Sequence, residues 1–175
     1  MFLGVTLSIL LGQAAELPRR IRVPLLAKQV SLDPSGIQDQ SSLLVARQLN
    51  CQLVRNRSRQ IVNEAAKEVR YLSDRDIEFV LDSSARFHSG KPVKAADVVA
   101  SLRYLQESRV VLRNVFRWVE TVEAQGKDRV RIRLRKAQPQ FLNLISAPNY
   151  AIFESEFLDR AKRDPRLWKR LLGVA

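Results

Sequence analysis

The spacing of apolar and polar positions changes period along this chain, and the changes mark its elements. Ile77, Phe79 and Leu81 alternate with Glu78, Val80 and Asp82, the signature of a strand. Val119 to Glu123 and Val130 to Leu134 flank Gly126-Lys127-Asp128, which predicts a hairpin. Helical spacing places Leu43, Leu44, Ala46 and Leu49 on one stripe of a helix from Gln40 to Leu49. A second helix, Ala95 to Gln106, buries Val98, Val99, Leu102 and Leu105. Gln140 to Ala147, Glu154 to Arg163 and Arg166 to Leu172 also read as helices. Ile21 to Leu26 suggests a short strand, broken or kept at an edge by Pro24. Asp33-Pro34-Ser35-Gly36 and His88-Ser89-Gly90-Lys91-Pro92 read as turns, and Asn56 to Ser58 as a polar loop. Together these predict one α/β domain, a mixed sheet with flanking helices.

The first fifteen residues differ from the rest. Phe2 to Leu11 carries no charge and is followed by Gly12-Gln13-Ala14-Ala15. A short apolar core ending in small residues is the pattern of a secretory leader. It is shorter than the roughly 20 apolar residues that span a bilayer. No basic residue precedes the apolar run, and a buried N-terminal strand or helix is the competing reading. The expected organisation is therefore a leader at 1–15 and a single domain at 16–175.

Composition narrows the chemistry. The 175 residues include one Cys and one His, so Cys51 and His88 exclude a disulfide framework, a four-cysteine site and any zinc site needing two imidazoles. Six scattered glycines form no phosphate loop. A nucleophilic pair would have to use His88 beside Ser89, with no oriented acid at useful spacing, so no catalysis, cofactor or metal is expected. The net charge is +12, from 22 Arg and 8 Lys against 18 acids. Arg55, Arg57 and Arg59 form one basic block. Arg129, Arg131, Arg133 and Arg135 alternate with Val130, Ile132 and Leu134, which makes a half-buried strand with a wet basic face. Such faces are usually solvated; the alternative is a basic interaction protein holding an acidic partner or nucleic acid. Cys51, Trp118 and Trp168 are expected to pack in the core or an interface.

One stretch carries a resemblance. Ile77-Glu78-Phe79-Val80-Leu81 leads into Arg86-Phe87-His88-Ser89-Gly90-Lys91-Pro92-Val93 and then Ala95-Ala96-Asp97-Val98-Val99-Ala100-Ser101-Leu102. The order of strand, Phe-His-x-Gly turn with Pro, and Ala-x-Asp-Val-x-x-Ser helix resembles the peptide- and nickel-binding family (family 5) of extracellular solute-binding proteins, which serve ABC importers. Val30-Ser31-Leu32-Asp33-Pro34, the hairpin within Glu120 to Leu134 and Pro139-Gln140-Phe141-Leu142 agree with it in collinear order. Two departures stand out. Lys94 occupies the place where the family usually has a capping Thr or Ser. Asn63-Glu64-Ala65-Ala66, then Val69, replaces Pro-x-Leu-Ala and Trp.

The resemblance implies a periplasmic or extracellular, non-enzymatic component of an ABC import system that works with the transporter's membrane subunits. Family members are two-lobed and far longer, so the expectation here is part of one lobe, with the second lobe absent. It implies a peptide or small solute held in a cleft only if a second polypeptide supplies the other lobe. The candidate ligand contacts are the backbone groups of Ser31, Leu32 and Asp33, with Asn149 and Tyr150 next; ordinary loop packing is the alternative role for all five. Regulators that carry a similar domain place a helix-turn-helix ahead of it, whereas only about twenty apolar-rich residues precede Ile21 here. A lobe lacking its partner would also expose apolar surface and aggregate.

Overall fold

A computed structural model of the chain describes residues 30–37, 39–107 and 113–170. The leader expected at 1–15, the strand at 21–26 and the last residues of the C-terminal helix lie outside the described residues.

The first element is helix α1, Gln40–Leu49, whose N-cap Asp39 accepts a hydrogen bond from the Ser42 N–H. A two-stranded hairpin follows, β1 (Val54–Arg57) with β2 (Gln60–Asn63). Strands β3 (Ala66–Tyr71) and β4 (Asp76–Leu81) open the main sheet. Helix α2, Ala95–Glu107, and the short α3, Arg113–Phe116, lead to the hairpin of β5 (Val119–Gln125) and β6 (Arg129–Leu134). The chain ends in α4 (Phe141–Ile145), a 3-10 turn (Pro148–Tyr150), α5 (Ser155–Arg163) and α6 (Leu167–Arg170).

The main sheet has the order β3-β4-β6-β5, and every described strand pair is antiparallel. Two short hairpin connections give antiparallel neighbours directly, and the α2 crossover brings β6 against β4. The parallel pairing of a mixed sheet would need a strand from outside the described residues.

Register sorts the sheet into two faces. Ile77 stands opposite Ile132, which stands opposite Val122; Phe79 stands opposite Val130. These side chains are buried beneath α2, whose Val98, Val99, Leu102 and Leu105 form the stripe the periodicity predicts. On the other face Arg70, Glu78, Arg131 and Glu123 make one cross-strand row of alternating charge. A smaller core gathers Leu32, Leu158, Ala161 and Trp168. The Trp168 ring meets Phe153 and Phe157 edge-on, with centroids 4.9 and 4.8 Å away.

Three expectations change. Asn56 and Arg57 lie inside β1, and the turn sits at Ser58 and Arg59, with φ of 49° and 70°. Two positive φ values in a two-residue loop match the twist of the paired strands, so a polar stretch without glycine still makes a hairpin. In α1 the buried residues are Ser41, Ser42 and Ala46, while Leu44 and Leu49 are more than two-fifths exposed. The reason is the Ser42 hydroxyl, which accepts from the Ser31 N–H and turns that face inward. Trp118 lies just before β5, half-buried, with the Arg117 and Lys136 side chains 4.9 and 4.5 Å from its ring centre.

Candidate functional site

The N-terminus of α2 is where the sequence motif acquires a physical meaning. Lys94 offers no side-chain cap, but Asp97, three residues on, reaches back. Its Oδ2 accepts the Lys94 N–H at 3.0 Å, the returning half of a capping box. Its Oδ1 accepts the Ser155 N–H at 2.9 Å, at the start of α5. One turn later the buried Ser101 hydroxyl donates to the Asp97 carbonyl (2.8 Å) and accepts the Phe153 N–H (2.9 Å). The two polar side chains of the Ala-x-Asp-Val-x-x-Ser segment thus fasten residues 153–155 to the central helix.

The fastened segment forms one wall of an open cleft of about 580 Å³. Leu49, Asn50 and Cys51 at the end of α1 form a second wall, and the turn from Arg86 to Lys91 a third. The floor is apolar: Leu32, Phe87, Ile152, Phe153 and Phe157. The rim is charged. Glu154 accepts the Ser89 hydroxyl at 2.5 Å and pairs with Lys91 at 3.1 Å, and Lys91 pairs with Glu156 at 2.8 Å. The Ser89 hydrogen bond, then Lys91, holds the Glu154 carboxyl below the usual carboxylate range. Glu156 and Glu154 in turn raise Lys91. This cluster pins the Phe-His-Ser-Gly turn to the start of α5 across 65 residues of chain.

Burial, with Glu64 nearby, pushes the Cys51 thiol up to about 12, so it lines the cleft as a protonated, weakly polar group. His88 lines the rim, exposed, and Ser89 gives its hydroxyl to Glu154. Among the described residues no group of three His, Cys, Asp or Glu side chains converges on a metal position.

The five residues singled out in the sequence fall around one loop. The Ser31 N–H is held by Ser42. Leu32 is buried in the smaller core and touches the cleft floor. The Asp33 carboxylate accepts from the Ser35 N–H (2.9 Å), the Ser35 hydroxyl (2.7 Å) and the Tyr104 hydroxyl (3.2 Å). The Asn149 amide, buried, donates to the Pro34 and Ile37 carbonyls, so it shapes that same loop. Tyr150 is buried against Phe116 in the main core, and burial raises its hydroxyl pKa. Of the five, Leu32 alone lines the cleft. Phe87, Lys91, Phe153, Phe157 and Arg160 were not anticipated as cleft residues. Their one visible signal is aromatic and charged residues at helical offsets in 153–160, beside the His88 turn.

The basic strand β6 is not a bare cationic face. Arg131 and Arg133 pair with Asp76 at 3.0 and 3.1 Å, and Arg129 approaches Glu78 at 3.8 Å. Arg55 pairs with Glu64 and donates to the Arg47 and Asn50 carbonyls, closing the end of α1.

Residues 60–170 match the family described as bacterial extracellular solute-binding proteins, family 5 Middle. The chain belongs to that family. Its fold is also that of several solved structures. The PBP AgaA from A. tumefaciens R10, in complex with agropinic acid, superposes with a TM-score of 0.73 at 23% identity, covering 77% of this chain and 28% of AgaA. The Escherichia coli murein tripeptide binding protein MppA gives 0.69 at 22% identity, covering 75% and 30%. Haemophilus influenzae OppA, in complex with RPPGFSPFR, gives 0.70 at 20% identity, covering 78% and 30%. The matched part of this chain thus corresponds to less than a third of the length of each. No curated protein sequence matches it. Among the described residues no helix is long and apolar enough to cross a membrane.

Proposed function

We propose that this chain is a non-enzymatic solute-binding component of an ABC import system, acting in the periplasm or outside the cell after removal of a leader at 1–15. Residues 16–175 supply part of one lobe, with the cleft between α1, the His88 turn and α5 as the ligand-facing wall. Leu32 brings the Ser31 to Asp33 segment to that wall, and Asn149 donates to the Pro34 and Ile37 carbonyls of the same loop. The ligand class is an extended peptide or a small solute, in line with the agropinic acid held by AgaA, the tripeptide-binding MppA and the peptide RPPGFSPFR held by OppA. The observation that carries the reading is an open cleft with an apolar floor and a polar rim on a family 5 fold.

Ligand sites generally cover 70–90% of the ligand's surface. One open wall covers far less, and the cost of immobilising the ligand is unchanged. Full affinity therefore needs a second lobe that closes over the ligand.

Isothermal titration of the chain with a mixed library of di- to pentapeptides, at low and high salt, tests this. Saturable heat with a Kd of about 1 mM, surviving high salt, is expected. Absence of heat at both salts, from the chain alone and from the chain with a second lobe supplied, would refute the ligand-facing wall. Heat that vanishes at high salt would point to a surface charge effect and refute it equally.

A further inference from the structure

The charges on the cleft rim do not cancel. Glu154 and Glu156 are both engaged by Lys91, and Glu154 by Ser89 as well. The two arginines of the cleft make no salt bridge among the described residues. Arg86 spends one Nη on the Ser83 and Ala85 carbonyls, which leaves its other donors outward. Arg160, exposed on α5 one turn beyond Phe157, makes no side-chain hydrogen bond to the described residues. The two acids of this rim thus share Lys91, and neither guanidinium group has an acid partner among the described residues. A guanidinium fork suits a carboxylate, which it can meet with two parallel N–H bonds. Beneath the rim, Phe87, Phe153 and Phe157 offer half-buried aromatic surface to an apolar group.

We infer that the cleft is selective for small solutes carrying one carboxylate and one aromatic or branched apolar group, with Arg160 as the residue that sets the charge preference. The inference rests on the ligand-facing wall proposed above and narrows its substrate class. A cationic solute would meet Arg86 and Arg160 and would compete with Lys91 for the two acids. A neutral solute would keep the aromatic contact and lose the fork.

Three probes sharing one phenylalanyl group separate these cases at pH 6: N-acetyl-L-phenylalanine (anionic), its primary amide (neutral) and the smaller L-phenylalaninamide (cationic). Binding to the full chain is followed by isothermal titration and by amide chemical shifts of residues 86–91 and 152–160. The anion should bind about threefold to fivefold tighter than the neutral amide, the range of an exposed ion pair. The cation should bind most weakly. Arg160→Gln should remove most of the anion's advantage over the amide, and far-ultraviolet dichroism with the thermal midpoint confirms that the variant folds. Arg86→Gln is the second variant and should reduce the anion's advantage by a smaller factor.

Equal binding of anion and amide to the unaltered chain would overturn the charge preference and leave the ligand-facing wall standing. An unchanged preference in Arg160→Gln would overturn the role of Arg160. If none of the three probes shifts the cleft amides while the peptide library still gives heat, the inference fails alone. If neither produces a response, from the chain alone or with a second lobe supplied, both readings fail together.

Discussion

Asp97 offers the sharpest test of how this fold positions its cleft. The side chain is 8% exposed and accepts two backbone N–H groups, from Lys94 and Ser155. Hydrogen bonds to a charged acceptor contribute about 1.5–3 kcal/mol each. The acid also faces the positive end of α2, worth about 0.3–1 kcal/mol. Asp97→Ala leaves both N–H groups unpaired, but each sits at a helix start where water can partly replace the carboxylate. Partial replacement by water removes roughly half of the sum, so the expected loss is about 2–3.5 kcal/mol. For a chain of this size that lowers Tm by about 5–15 °C. Asp97→Asn keeps one acceptor oxygen and loses the charge, and should cost about half as much. Ser101→Ala removes the acceptor for the Phe153 N–H and should cost about 1–2 kcal/mol. Both side chains hold residues 153–155, so the double variant should be less destabilised than the two losses added, by at least about 0.5 kcal/mol. The assay is urea unfolding followed by tryptophan emission in a Trp118→Phe background. Trp168 then reports alone, and its ring lies against Phe153 and Phe157. A loss under about 0.5 kcal/mol for Asp97→Ala, or strict additivity with Ser101→Ala, would refute the fastening.

Three further outcomes follow from other parts of the molecule. Ser58→Asn with Arg59→Gly should stabilise the chain by about 1 kcal/mol, because both positions hold positive φ; a thermal scan checks it, and a lowered midpoint would contradict the hairpin turn. Asp39, Glu68, Asp76, Asp82 and Glu154 are all held below their ordinary pKa, chiefly by Ser42, Arg70, Arg131 with Arg133, Ser84 and Ser89 respectively. Depressed carboxylates contribute stability that is fully present above the unfolded values near pH 4 and is lost as pH falls through the folded ones. The urea midpoint should therefore be level from pH 7 to about pH 5 and fall steeply below about pH 4, and a level midpoint down to pH 3 would contradict these pairings. Cys51 is held protonated, so its alkylation by iodoacetamide at pH 8 should be on the order of a thousandfold slower than that of free cysteine, and urea should restore the ordinary rate.

Elements whose pattern is local were legible from the chain. Helix α2 announces itself through Val98, Val99, Leu102 and Leu105, and the β5–β6 hairpin through alternation on either side of Gly126, which sits at φ 77°. The hairpin at Ser58 was hidden because its turn uses a serine and an arginine where the common signal is Asn-Gly. Strand β3 was hidden because Ala66 is its one fully buried residue, so its alternation is faint. The orientation of α1 could not be read from its leucines, because a hydroxyl that binds the Ser31 N–H decides which side faces in. The cleft was hidden for a similar reason: Ser89 and Lys91 meet Glu154 and Glu156 only once the fold is formed. Periodicity reports what each element hides from water; it carries no information about which polar group meets which.

The net charge of +12 makes the same point from the opposite side. The arginines that looked most like a binding face lie in register with Asp76, Glu78 and Glu123 on neighbouring strands, so the sheet satisfies much of that charge internally. In the cleft the relation reverses: there the acids are paired and two arginines are not. Asp97 and Ser101 explain how such a site stays ordered at the edge of the fold. They stand one helical turn apart and therefore look toward the same neighbour. Their helix is anchored by its apolar stripe in the main core, and that anchorage passes to residues 153–155 through two backbone N–H groups, those of Phe153 and Ser155. A substitution at either residue, remote from any ligand, should thus be felt first at Phe153 and Phe157 in the cleft floor.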